Sequence, residues 1–141
     1  MNAYAAMKRE HQREFNAFPL QFAFSTEQFN LGMEALGLKP TDTDKVVSIG
    51  ACGFMRKSDA EAFNAMNARH RREEREAMEA DASGLGYIRD MFAHELSEHE
   101  FGYTYDLRQT LNALGYTEEQ VNQDPRLKAG LDAALKPYYE D

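Results

Sequence analysis

The sequence predicts a mostly helical α+β fold: one domain over residues 1–141, with about six helices and a small antiparallel sheet. Three observations point there. Apolar residues recur at steps of three and four in stretches punctuated by Gly, Pro and Asp, which is the period of amphipathic helices. Two short stretches, "FPLQFAF" and "KVVSIGACGFMRK", switch to the alternation of strands. Hydrophobic residues make up 43% and aromatic residues 11% of the chain, enough apolar mass for a real core and unlike a disordered composition.

The elements follow in order. Residues 2–17 place Tyr4, Met7, His11 and Phe15 on one helix face, with Phe18 continuing it. After Pro19, the alternation of Phe18, Leu20, Phe22 and Phe24 suits a short half-buried strand. Ser25 and Gln28 have the spacing of a capping box, so a helix follows with Phe29, Met33 and Leu36 inward and Gly37 as its stop. "KVVSIGACGFMRK" reads as two strands around a turn at Gly50–Gly53. Ser58 or Asp59 then caps a long polar helix reaching about Ala80, with a thin inward stripe of Ala62, Phe63, Met66, His70 and Ala77. Its Arg69–Glu73, Arg72–Glu76 and Arg75–Glu79 spacings suit ion pairs on a solvated face. "DASGLG" breaks the chain before a helix carrying "HELSEH". Asp106–Leu114 forms a short helix stopped by Gly115, and Thr117 with Gln120 repeats the capping-box spacing. Asp124 caps the last helix with Pro125 at its first position and Leu127, Leu131 and Leu135 inward.

Composition excludes several classes. A single cysteine, Cys52, permits no intrachain disulfide and no Cys-rich zinc module. The N-terminus has charges by Lys8 and no apolar core, so it is not a secretory signal, and no apolar run approaches a membrane span; the expected setting is the bacterial cytoplasm. The net charge is −8, unevenly spread. Residues 1–89 carry 12 Lys+Arg and 13 Asp+Glu, whereas residues 90–141 carry 4 and 11, a balance of −7. Such a surface repels phosphate backbones and attracts basic protein surfaces, so neither direct nucleic-acid binding nor a membrane partner is expected.

The chemistry concentrates at "HELSEH". In the HExxH zinc signature the histidines lie four apart and share a helix face. His94 and His99 are five apart, roughly 140° around a helix, so they cannot bind one metal together. The same arithmetic interleaves two pairs at i,i+4. Glu95 and His99 fall on the stripe of Ile88, Met91 and Phe92, while His94 and Glu98 fall off it toward solvent. Glu95 and His99 are therefore candidates for a buried polar pair, since a lone buried charge costs several kcal/mol. The pair suits a structural role, a general acid/base unit or part of a ligand site.

Elsewhere the signals are weaker. "GACG" matches the GxxG of KH domains, but strands flank it, and Cys52 reads as a small residue in a hairpin turn. No P-loop, GxGxxG or GxSxG occurs. The arginines of "RHRREER" are neutralised by neighbouring acids. "YTYD" and "PYY" supply tyrosines suited to a protein interface.

At "FNAFPLQFAFSTEQF", "GFMRKSD", "HELSEHEFGYTYD" and "ALGYTEEQVNQDPRLKAGL" the chain resembles an uncharacterised family of small proteins carried by phages, plasmids and other mobile elements of gut bacteria. The run matched by Glu95, Leu96, His99, Glu100 and Phe101 is its most recognisable piece. The resemblance comes with no assigned activity, so it carries over no catalytic residues. In size and acidity the chain is also similar to type II anti-CRISPR proteins.

The expectation is a non-enzymatic inhibitor without a cofactor or metal. Its acidic C-terminal third would occupy the basic groove of a nucleic-acid-binding effector of the Cas9 type, with Glu95, Glu98, Glu100, Asp106, Glu118 and Glu119 as contacting acids. The alternative is a small ligand- or metal-binding protein or enzyme built around Glu95 and His99.

Overall fold

The computed structural model describes residues 1–140, which form an α+β structure dominated by helices. Among them are eight α-helices and three short strands: α1 Ala3–Ala17, β1 Gln21–Phe22, α2 Thr26–Ala35, β2 Val46–Gly50, β3 Gly53–Arg56, α3 Ala60–Ala80, α4 Tyr87–Glu98, α5 Phe101–Thr104, α6 Leu107–Leu114, α7 Glu118–Gln123 and α8 Pro125–Tyr139. The excess over six comes from the one-turn α5 and the short α7, both too brief to show a helical period. No helix among the described residues is long and apolar enough to cross a membrane. Contacts group into two compact units, Met1–Glu10 with Glu73–Asp141 and His11–Arg72. The boundary falls within α1 and α3.

The His11–Arg72 unit holds the antiparallel sheet, in the order β1-β3-β2. The central β3 buries Gly53, Phe54 and Met55, as a strand flanked on both sides should. Phe54 joins Met33 of α2 and Leu36, the residue that ends it, in a small core. Ser25 caps α2 by accepting from the Gln28 N–H at 3.1 Å, and the Gln28 side chain accepts in return from Phe24 N–H at 2.7 Å. That return bond goes one residue beyond the usual capping-box partner. At the other end, Leu38 N–H donates to Met33 carbonyl across Gly37 at φ 75°, closing a Schellman motif.

The first strand departs from its alternation. Only Gln21 and Phe22 pair with β3; Phe22 lies on the face away from Phe54 at 46% exposure, and Phe24, beyond the strand, is 75% exposed. The register explains the reversal. Phe22 opposes Gly53, and a Cβ built on Gly53 would lie 2.8 Å from the Phe22 ring, so the ring lies across the space a side chain would fill. The β2–β3 turn is made by Ala51 and Cys52, both in the left-handed region at φ 50° and 63°. A two-residue hairpin turn of this hand normally uses Asn-Gly.

The other unit packs α4 along α8 around Ile88, Met91, Phe92, Leu96, Leu127 and Leu131. Asp124 caps α8 by accepting from Arg126 N–H and Leu127 N–H, with Pro125 in the first turn. The close approach of the two helices depends on Gly130. A Cβ built there would lie 2.6 Å from both the Gly84 carbonyl oxygen and the Ile88 side chain. A backbone oxygen cannot move aside alone, so the helices would have to separate. Gly130→Ala is expected to lower stability by about 2–3 kcal/mol in urea denaturation. A loss within 0.5 kcal/mol, on the order of an ordinary surface change, would contradict this packing.

Candidate functional site

The site is built on α4. Ile88, Met91, Phe92 and Leu96 fall at helical spacing and bury one face. The helix lacks a capping side chain at Gly86, the residue before it. Asp81 supplies the acceptor from farther back: its carboxylate takes N–H bonds from Gly84, Gly86 and Ile88 at 3.1, 3.1 and 2.9 Å. Burial pushes the Asp81 carboxyl up, but these three bonds outweigh it and hold the group below the usual carboxylate range.

Glu95 lies on the buried face of α4 at 4% exposure, and its two oxygens are taken by different partners. Tyr4 Oη and Lys8 Nζ, both from α1, donate to Oε1 at 2.7 and 2.9 Å. His99 Nε2 lies 3.3 Å from Oε2. The Lys8 ammonium also sits 5.7 Å from the centre of the Tyr4 ring. That ring is held between Tyr87, at 5.7 Å and 66°, and His94, at 5.6 Å and 55°.

Electrostatics follow from these contacts. Burial drives the Glu95 carboxyl upward, but the Tyr4 and Lys8 hydrogen bonds and the Lys8 charge outweigh it, so the group is held below its ordinary value. Burial, then the bond to Glu95, raises the Tyr4 phenol far above the tyrosine range and keeps it a neutral donor. Burial, with Glu74 nearby, pushes Tyr87 up to about 12. Glu95 is thus a carboxylate acceptor flanked by a fixed phenol, an ammonium and an imidazole. In this arrangement it works as a clamp between α1 and α4.

Of the four motif residues, Glu95 and His99 are brought together. Glu98 is exposed and lies 3.8 Å from His94. His94 corrects the expectation that it faces solvent, because its side chain is 25% exposed against 32% for His99. The cause is Tyr4, whose ring covers the flank of α4 that the helical pattern leaves open.

The acids proposed for contact separate into three kinds. Glu95 is enclosed and paired, so it is not a surface acid. Glu98, Glu100, Glu118 and Glu119 are exposed, the last two in the first turn of α7. Asp106 is half-buried; it caps α6 by accepting from Arg108 N–H at 3.0 Å and holds the Arg108 guanidinium at 3.0–3.1 Å with both oxygens. Those bonds hold its carboxyl below the usual range. Asp106 and Glu118 line one groove of about 600 Å³, together with Tyr105 and Tyr116. Glu95, Glu98, Glu100 and Glu119 do not line it.

A second polar cluster lies in the His11–Arg72 unit. The His11 and His70 rings stack at 3.9 Å and 15°, and His70 Nε2 lies 3.3 Å from Glu14 Oε2. Arg69 bonds the same oxygen, and its hydrogen bond, then that of His70, holds the Glu14 carboxyl low. Among the described residues no three His, Cys, Asp or Glu side chains come together as a metal-binding group.

Sequence reasoning missed Tyr4 and Lys8 as partners of Glu95, and Asp81 as the cap of α4. Tyr4 and Lys8 stand four apart, which puts a donor pair on one face of α1, but nothing local shows what accepts from them. Asp81 precedes "ASGLG", a turn-forming run with two glycines, a usable signal for a carboxylate gathering backbone N–H groups.

Removing the clamp has a calculable sign. Because the folded Glu95 carboxyl lies below its unfolded value of about 4.3, its stabilisation is fully present above that pH and is lost as pH falls through the folded value. Glu95→Gln is expected to cost about 1–2 kcal/mol at pH 7 and Glu95→Ala about 3 kcal/mol, since alanine leaves Tyr4 and Lys8 without their acceptor. Urea denaturation from pH 7 to pH 3 checks both. The gap between wild type and Glu95→Gln should shrink in acid, and a constant gap would contradict the assignment.

The chain matches no curated protein and no solved structure. Residues 3–137 match a family of unknown function, DUF7659, across nearly the whole length, and the chain belongs to that family.

Proposed function

We propose that the protein is a non-enzymatic inhibitor, carried by a phage or mobile element, that binds a basic protein surface. Its target in this reading is a nucleic-acid-binding effector of the Cas9 type, whose groove the acids would occupy. The observation that carries the reading is the concentration of charge: 11 Asp+Glu against 4 Lys+Arg in residues 90–141, with Glu98, Glu100, Glu118 and Glu119 exposed. Complementary charge steers encounter with a cationic partner and keeps nucleic acid away. Exposed Tyr103, Tyr105 and Tyr139 in the same region add the residue type that most often anchors protein interfaces.

The reading of Glu95 and His99 as a catalytic or ligand site draws less support. Both Glu95 oxygens already have partners and the group is enclosed, which suits a positioning role.

Binding to a purified Cas9-type effector at low salt, and an interference assay with and without the protein, test the proposal. Binding should weaken steeply as salt rises. Changing Glu98, Glu100, Glu118 and Glu119 together to Lys should reduce affinity by more than about tenfold, through repulsion from a like-charged surface. No binding at low salt, or affinity unchanged by the charge reversal, would overturn it.

A further inference from the structure

The groove beside α6 has features that a general acidic surface does not need. Tyr105 and Tyr116 line it, Asp106 and Glu118 line it as well, and the buried Leu111 contributes to its lining. The chain holds Tyr105 there at a conformational cost. Tyr105 adopts φ 51° and Glu100, five residues earlier, φ 54°, so the single turn α5 is bracketed by two non-glycine residues in the left-handed region. An L side chain rarely adopts that conformation, and such strain persists only where the surroundings impose it. Here they do. Phe101 is buried and contacts the rings of Tyr105 at 5.2 Å and Tyr138 at 5.1 Å, and Tyr105 Oη donates to the Tyr138 carbonyl at 3.4 Å. Tyr105 also meets Tyr139 edge-on at 5.7 Å. The strained turn is therefore braced, yet the Tyr105 side chain remains half exposed at the groove.

Aromatic rings with carboxylates beside them match a flat cation with an apolar stem. Arginine meets that description better than lysine, because its guanidinium stacks on a ring while donating in a fork to a carboxylate. The chain already shows the polar half of this recognition: Arg108 engages both Asp106 oxygens with Nε and Nη2. That arginine is 85% exposed, so its ion pair is of the kind that contributes little and exchanges readily.

The geometry points to an arginine-binding groove, in which Tyr105 and Tyr116 flank, and Asp106 and Glu118 pair with, the guanidinium of an arginine presented by the partner. Arg108 occupies the Asp106 end in the free protein and is displaced on binding. The inference rests on the proposal that the acidic region faces a basic protein, and it names the side chain that this partner contributes.

Blocked hexa-arginine and hexa-lysine peptides, equal in charge, are titrated into the full-length protein at low salt and followed by calorimetry and amide NMR shifts. Hexa-arginine should bind at least about fivefold more tightly than hexa-lysine, with shifts centred on Tyr105, Leu111 and Tyr116. Tyr105→Ala should remove the discrimination and Tyr105→Phe should retain it, which separates loss of the ring from loss of the hydroxyl bond. Arg108→Ala should tighten hexa-arginine binding about two- to threefold by removing the internal competitor. Equal affinity for the two peptides, or shifts away from the groove, overturns the arginine site, even if a Cas9-type effector binds. Arginine discrimination without effector binding supports the groove and removes that effector as its partner.

Discussion

A buried carboxylate must be paired, and much of one half of this molecule is arranged around satisfying Glu95. Taking its charge from water without partners would cost several kcal/mol, more than most domains can spare. Tyr4 and Lys8 meet that demand from α1, and His99 meets it from the end of α4. The consequence is positional. The start of α1 is fastened to α4 by directional bonds, while Ile88, Phe92 and Leu96 on α4 supply non-directional burial against α8. Asn2 and Asp90 extend the fastening: the Asn2 amide donates to the Asp90 carbonyl at 2.8 Å, and Ala3 N–H to the Asp90 carboxylate at 2.9 Å.

The same helix separates an inward chemistry from an outward one. Glu95 faces in and is spent on structure, whereas Glu98 one turn on faces solvent. Past His99 the chain leaves the helix through Glu100, turns once through α5 and leaves again through Tyr105. Two left-handed residues so close together would be unstable in isolation, and the buried Phe101 between them is what the core contributes to hold them. Tyr105 thus projects from a braced turn, held by Phe101 and Tyr138.

Much of this was legible in the chain because the signals were local. Thr117 and Gln120 form the full capping box that their spacing announces, and Asp124 with Pro125 starts α8. The inward face of α4 also follows from periodicity, since a buried stripe of Ile88, Met91 and Phe92 carries Glu95 with it. Three features depended on distant partners and were not legible. Phe22 and Phe24 alternate like inward residues, but Phe22 pairs opposite Gly53 on the outer face and the strand ends before Phe24, leaving both exposed. His94 sits off the apolar stripe, yet the Tyr4 ring covers it from 90 residues away. Lys8 reads as a surface charge on α1 until the Glu95 carboxylate is placed beneath it. For the phenylalanines and His94 tertiary structure overrode what the local period implied, and for Lys8 it supplied a partner that no local signal shows.

The clamp on Glu95 makes a claim about one proton. Carbon-13 NMR of the Glu95 side-chain carboxyl, followed through an acid titration of the intact protein, reads it directly. The midpoint should fall below the ordinary glutamate value of about 4.3, and Lys8→Met should raise it, because the lysine charge and hydrogen bond both favour the carboxylate. A midpoint at or above the ordinary value, unmoved by Lys8→Met, would mean that burial prevails over pairing and that Glu95 does not clamp α1 to α4.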